Sequence, residues 1–218
     1  MSKFLVMRFL DYPGQGQPAA LTTELEELLV LTLGAIEAVN VERWALQFGA
    51  KDPPVLPGSM RSSAYETDVV GAIHRLGQRY WERRGEAAMW ERPFVTGAAG
   101  RPPAVDISLF DANRGVETRV EFGRFTPSKL KSDAAKLAEL GTDTHMEFPS
   151  VESLLILWVE RRDKMTRTTR KHVMSKFKKA TTSKGVPALS LLSVSGGDLF
   201  VPEKNGHRWV AAALYKLK

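Results

Sequence analysis

The sequence predicts an α/β protein, a mixed central sheet with helices on both of its faces. Three observations predict it. From residue 63 onward the apolar pattern switches between helical and strand periods, in the order helix, three strands, helix, strand, helix, strand. Leu154–Val159 (LLILWV) is a near-continuous apolar run, which a strand buried on both faces requires. With 43% hydrophobic and 26% charged residues, the 218-residue chain has the balance of a globular protein. A chain of this length can bury roughly 70% of the surface its unfolded form exposes.

Each element has its own local reason. Lys3–Leu10 has strand character, and Asp11–Ala19, with two prolines and two glycines, is a loop. Thr22 or Thr23 can cap a helix to about Val39 that carries Leu25, Leu28, Leu29, Leu33 and Ile36 as its apolar stripe. Val41–Phe48 reads as a strand, and Lys51–Gly58, with three prolines, as a linker. Residues 1–57 are therefore expected to form a small N-terminal α/β appendage, a candidate assembly or recognition element, and 58–218 the core domain. A helix from Ser63 to about Arg84 would bury Tyr65, Val69, Ile73, Leu76 and Tyr80. Ala88–Val95, Ala104–Phe110 and Val116–Phe125 alternate as strands, and Asp111–Gly115 suits a hairpin turn between the last two. Thr126-Pro127 starts a helix that runs to Leu140, with Leu130, Ala134, Leu137 and Ala138 inward. A basic helix from about Asp163 to Ala180 turns Met165, Thr169, His172, Val173, Phe177 and Ala180 inward. Ala188–Val194 is a strand, and Trp209–Leu217 a strand or short helix.

Alternation also singles out two acids. Val105, Ile107 and Leu109 share one face of their strand, which turns Asp106 and Ser108 to the other. In the next strand Glu117, Arg119, Glu121 and Gly123 share a face. If the two strands pair as a hairpin, Asp106 and Glu121 become neighbours. Two close carboxylates repel unless a cation lies between them, and hard divalent cations are held by one or two carboxylates plus substrate phosphate oxygens. Such a metal activates water and stabilises charge on a phosphodiester.

The run Pro102-Pro103-Ala104-Val105-Asp106, followed after a turn by Thr118-Arg119-Val120-Glu121-Phe122-Gly123, resembles the PD-(D/E)xK nuclease superfamily, with its restriction-endonuclease-like fold. The resemblance covers roughly residues 63–195 and includes the order of the elements. It implies a metal-dependent DNA endonuclease or phosphodiesterase that uses Mg²⁺ or Mn²⁺, with Asp106 and Glu121 as metal ligands and Glu66, on the first core helix, as a further one. The family's lysine lies two residues after the second acid, and here that residue is Gly123. Either a cation reaches in from elsewhere, Lys131 or Lys129 from the following helix or Arg119 from the same strand face, or the domain is an inactive relative that binds nucleic acid or serves assembly without cutting. Glu66 also has a plainer role open to it, because Ser63-Ala64-Tyr65-Glu66 has the spacing of a capping box.

Charge points to the same class of partner. Arg161, Arg162, Lys164, Arg167, Arg170, Lys171, Lys176, Lys178, Lys179 and Lys184 are ten basic residues against one acid, Asp163. That is a net +9 within a chain of net +6, so the remainder carries −3. A localised patch of this kind binds phosphate backbones by releasing counterions, DNA ahead of RNA here, although it can also dock an acidic protein. Nucleases of this fold often work as homodimers or within larger nucleoprotein machines. The absence of cysteine excludes disulfides, thiolate metal sites and cysteine nucleophiles. No Walker or Rossmann motif occurs. With no signal-peptide pattern and no apolar run near ~20 residues, a cytoplasmic protein without membrane contact is expected.

Overall fold

The structure, a computed structural model, describes residues 23–49, 58–94, 103–141, 146–161, 166–199 and 209–218. Its elements are α1 (Thr23–Gly49), α2 (Gly58–Arg83), β1 (Glu86–Pro93), β2 (Ala104–Asp111), β3 (Val116–Arg124), α3 (Pro127–Leu140), β4 (Ser150–Arg161), α4 (Arg167–Ala180), β5 (Leu189–Asp198) and β6 (Trp209–Leu217). The strands form one mixed sheet in the order β1-β2-β3-β4-β6-β5. Among the described strands only β3 and β4 pair in parallel, joined by the crossover helix α3, and the other neighbours are antiparallel.

Helices cover both faces, as the alternating periods predict. On one face Leu28, Leu29, Leu33 and Ile36 of α1 share an apolar layer with Tyr65, Val69, Ile73 and Trp81 of α2 and with Ile107, Val120, Phe122, Leu154 and Ile156 of the sheet. On the other, Leu130, Ala134 and Leu137 of α3 and Val173 and Phe177 of α4 pack on Leu155, Leu157, Ala213 and Tyr215. β4 thus feeds both layers by alternation, and each of its fully buried leucines contributes about 2 kcal/mol of transfer free energy. The described part of the 1–57 segment enters the same core layer as residues beyond 58.

Several local expectations need correction. Val41–Phe48 is not a strand but the end of α1, because no breaker interrupts the helix before Gly49. α2 starts at Gly58, which puts Ser63 inside the helix, so Glu66 is not part of an N-terminal capping box. Its buried stripe runs in steps of four through Tyr65, Val69, Ile73, Gly77 and Trp81, and leaves Leu76 and Tyr80 exposed. The Trp81 ring covers Gly77, where any Cβ would collide with it. On α3 the inward position next to Ala134 belongs to Asp133, whereas Ala138 is exposed. On α4, which opens with the Thr166 hydroxyl accepting the Thr169 N–H at 3.1 Å, His172 faces outward and Met174 takes the inner position. The strand expected at Lys3–Leu10, the loop after it, the linker at 51–57 and Met165 lie outside the described residues.

Candidate active site

The hairpin between β2 and β3 is closed by Asp111, whose Oδ1 accepts the N–H groups of Asn113 and Arg114, and by Gly115 at φ +61°. The turn fixes a register in which Ile107 faces Val120, so the next pair along is Asp106 and Glu121. Here side chains take over from the backbone ladder. Glu121 Oε1 accepts the Asp106 N–H at 3.3 Å, and Asp106 Oδ2 accepts the Phe122 N–H at 2.8 Å. The two carboxylates expected to meet do meet.

Helix α3 supplies the rest of the cluster. The Thr126 hydroxyl accepts the Lys129 N–H at 3.0 Å, and Pro127 occupies the first turn, so the start of the helix is fixed immediately after β3. Lys129, Asp133 and Lys136 then follow at steps of four and three and face β3. Lys136 Nζ lies 2.6 Å from Glu121 Oε1 and donates to the Ala104 carbonyl at 3.0 Å. Lys129 Nζ lies 3.1 Å from Asp133 Oδ2 and 3.5 Å from Glu66 Oε2. Glu66 reaches over from α2, and its Oε1 accepts the Arg124 N–H at 3.0 Å.

Gly123 acquires a physical reason in this arrangement. The Lys129 side chain lies directly against it. A Cβ on residue 123 would fall on Lys129 Cε, with Nζ only 2.9 Å away. The end of the Lys129 side chain therefore occupies the space into which a side chain at 123 would project, with its ammonium alongside. Lys131, the other lysine considered for this role, is exposed and runs elsewhere. Its Nζ is 3.0 Å from where a Cβ on Gly185 would stand, in the turn beyond α4. Arg119 is not available either. It is fully buried, donates through Nε and NH2 to Glu117 at 2.9 and 2.8 Å, and bonds the Leu140 carbonyl through NH1.

Burial sets the electrostatics. Desolvation pushes the Asp106 carboxyl up from its ordinary range, against the opposing pull of the Phe122 N–H and the two lysines. Glu121 is pushed up to about 8, first by burial and then by the Asp106 charge, with Lys136 pulling the other way. Burial acts to lower Lys129, but Asp133 and Glu66 outweigh it and hold the ammonium above its usual value. With all six groups ionised, four carboxylates (Glu66, Asp106, Glu121, Asp133) face two ammonium groups (Lys129, Lys136), a formal charge of −2. Among the described residues no three His, Asp or Glu side chains converge as a ready metal cage. Asp106 and Glu121 are the pair that can hold a divalent cation, with water and substrate completing its shell.

The basic segment is partly described. Arg162 and Lys164 lie outside the described residues, and Arg161 ends β4. On α4, Arg167, Lys171, Lys176, Lys178 and Lys179 are exposed and Arg170 is half-buried. The C-terminal half of α4 sits beside the start of α3. Phe125 meets Phe177 edge-on with ring centroids 5.2 Å apart, and Lys131 lies across the Gly185 turn. Lys131, Lys179 and Lys184 are exposed in that region. A cavity of about 230 Å³ on the α1 side of the sheet, lined by Arg84, Arg114 and Lys216, belongs to a different region, and its cations are paired with Glu27, Glu86, Asp111 and Glu152.

Sequence reasoning missed Asp133 and Lys136. The signal was present in the 129-133-136 spacing, which shares the inward face with Leu130, Ala134 and Leu137. No protein-family model, curated protein or solved structure matches the chain.

Proposed function

We propose that the protein is a divalent-metal-dependent phosphodiesterase acting on nucleic acid, DNA first, of the PD-(D/E)xK type. The observation that carries this reading is the lysine laid across Gly123 beside the Asp106–Glu121 pair. The family pattern asks for an ammonium next to the second acid, and α3 brings one to the place a side chain on residue 123 would fill. The element order α2-β1-β2-β3-α3-β4, with an antiparallel β1–β3 meander and β4 parallel to β3, supports the restriction-endonuclease-like reading of the sheet.

The donor set fits a hard cation: the buried Glu121 and the half-buried Asp106 share one face, and Glu121 already holds an ammonium. When bound, Mg²⁺ or Mn²⁺ would supply an activated water and a counter-charge for the phosphoryl oxygens. Asp106 and Glu121 would hold it. Lys129, kept cationic by Asp133 and Glu66, orients that water and offsets charge on the phosphate rather than removing a proton. Glu66 positions Lys129. Lys131, Lys179 and Lys184 offer the neighbouring backbone phosphates a basic surface that starts at the first turn of α3.

The test is cleavage of single- and double-stranded DNA with Mg²⁺ or Mn²⁺, beside an EDTA control and a Glu121→Gln protein. Cleavage that needs metal and falls by about 10³-fold or more in the variant is expected. Normal cutting by Glu121→Gln would sink the assignment. A second reading, a domain that binds without cutting, draws on Gly123. It requires DNA binding that ignores EDTA, and no cleavage in any metal.

A further inference from the structure

The Lys136 ammonium stands between Glu121 Oε1, at 2.6 Å, and the Ala104 carbonyl, at 3.0 Å. A carboxylate and a main-chain carbonyl are the oxygen donors that hard divalent cations take. Ala104 lies two residues before Asp106, so both oxygens flank the carboxylate pair. The Lys136 side chain comes from the second half of α3 and is 30% exposed, so it can leave the two oxygens without unpacking a fully buried group.

From this geometry we infer that Lys136 is a tethered cation that occupies the metal site in the metal-free protein and competes with the divalent ion for Glu121. Two cations sharing one carboxylate oxygen repel each other strongly in a buried site. Metal entry therefore requires the ammonium to swing out, and the intrinsic affinity is lowered by the free energy of that pair. Lys136 thus sets the metal concentration at which the site loads, while it offsets part of the acid pair's charge when no metal is present. Lys129 does not perform this task, because its ammonium is held by Glu66 and Asp133.

The inference rests on the phosphodiesterase reading, and one experiment separates the two. Mn²⁺ is titrated into the full chain and the free ion is followed by its electron paramagnetic resonance signal, with no substrate present. The proteins are wild type, Lys136→Met, which keeps the side-chain stem, Lys136→Ala as a second variant, and Glu121→Gln. Expected is Mn²⁺ binding about tenfold tighter in Lys136→Met than in wild type, and none in Glu121→Gln. Affinity in both Lys136 variants that equals or falls below wild type, with Glu121→Gln still dead to metal, overturns the competitor role and leaves the metal site standing. Absence of Mn²⁺ binding in wild type and in both Lys136 variants overturns the competitor and the metal-dependent reading together.

Discussion

Glu117 and Glu121 lie four residues apart on the same face of β3, both almost completely buried, and their chemistry has been driven in opposite directions. Burial raises both. At Glu117 the Arg119 and Arg92 guanidiniums more than reverse the effect and hold the carboxyl below its ordinary value. Ser108 Oγ donates to it at 3.0 Å, and the rings of Phe94 and Phe110 lie under the Arg92 guanidinium. At Glu121 the Asp106 charge adds to the effect of burial, and the Lys136 ammonium 2.6 Å away does not outweigh the two. The first cluster is finished within the chain. The second, with all its groups ionised, holds an excess of negative charge. Burial with incomplete compensation is what makes Glu121, and not Glu117, the candidate functional acid.

The largest way to break this comparison is to open the finished cluster. Glu117→Ala removes the carboxylate shared by the buried Arg119 and the part-buried Arg92, and stability should fall by about 3–5 kcal/mol, read as the denaturant midpoint. A loss below about 1 kcal/mol would show that water already compensates the cluster, and the contrast with Glu121 would collapse.

The next prediction concerns Gly123. If Lys129 acts from the space above residue 123, a Cβ there must displace it. Gly123→Ala should lower kcat by about 100-fold with little change in DNA affinity, and Lys129→Ala by a similar factor. The double variant Gly123→Lys with Lys129→Ala puts the ammonium back from the strand, and should recover about tenfold over Lys129→Ala alone. No recovery in a folded double variant would mean that the lysine's location on α3, and not merely its charge, is required.

How much of this was legible in the sequence follows from where each signal is local. β2, β3 and the turn between them were legible because alternation and turn chemistry act over a few residues, and they bring Asp106 to Glu121 as expected. α3 was legible from Thr126-Pro127, but its inward face was read as purely apolar, so Asp133 and Lys136 escaped notice. Lys136 turns inward to Glu121 of β3 and the Ala104 carbonyl of β2, and no local pattern announces a partner fifteen residues earlier, whereas Asp133 takes its partner Lys129 from α3 itself. The choice between Lys129 and Lys131 was open for the same reason: a two-residue step on a helix changes the direction by about 200°, and only the docking of α3 on β3 decides which one faces the site. Val41–Phe48 failed because a short segment of mixed apolar and polar residues without breakers suits a strand or the end of a long helix equally well.

A smaller effect sharpens the comparison through pH. A carboxyl whose folded-state pKa is raised binds more protons in the folded than in the unfolded chain, so its contribution falls as pH rises from about 4.5 to about 8, the Glu121 window. Glu117 has the opposite sign. Its stabilisation is present above the unfolded value and is lost as pH drops below it. In EDTA, Glu121→Gln should therefore be more stable than wild type at pH 8, on the order of 2 kcal/mol, and the two proteins should converge near pH 5. Divalent metal should stabilise wild type at pH 8 and leave the variant unmoved. Equal stability of the two proteins across that range would mean that Lys136 already compensates Glu121 fully.

The smallest expected effect tests whether the open cluster and the basic surface belong to one interface. Removing one lysine–phosphate pairing should reduce the slope of log affinity against log salt by about 0.9 for duplex DNA. Lys131→Ala with Lys184→Ala, at the α3–α4 junction, should weaken binding several-fold and lower the slope by about 1–2, without changing metal binding at Asp106 and Glu121. Arg167→Ala with Lys171→Ala, at the other end of α4, should cost less, because that turn lies farther from the start of α3 along the helix. If the two pairs weaken binding equally, the backbone follows the whole of α4 and does not cross from α3, and the phosphates reach the carboxylates by another path. A pair effect confined to Lys131 and Lys184 would instead tie the basic surface to the strand end where Lys129 lies, which the excess negative charge of the site cannot do alone, since carboxylates by themselves repel the substrate they are proposed to cut.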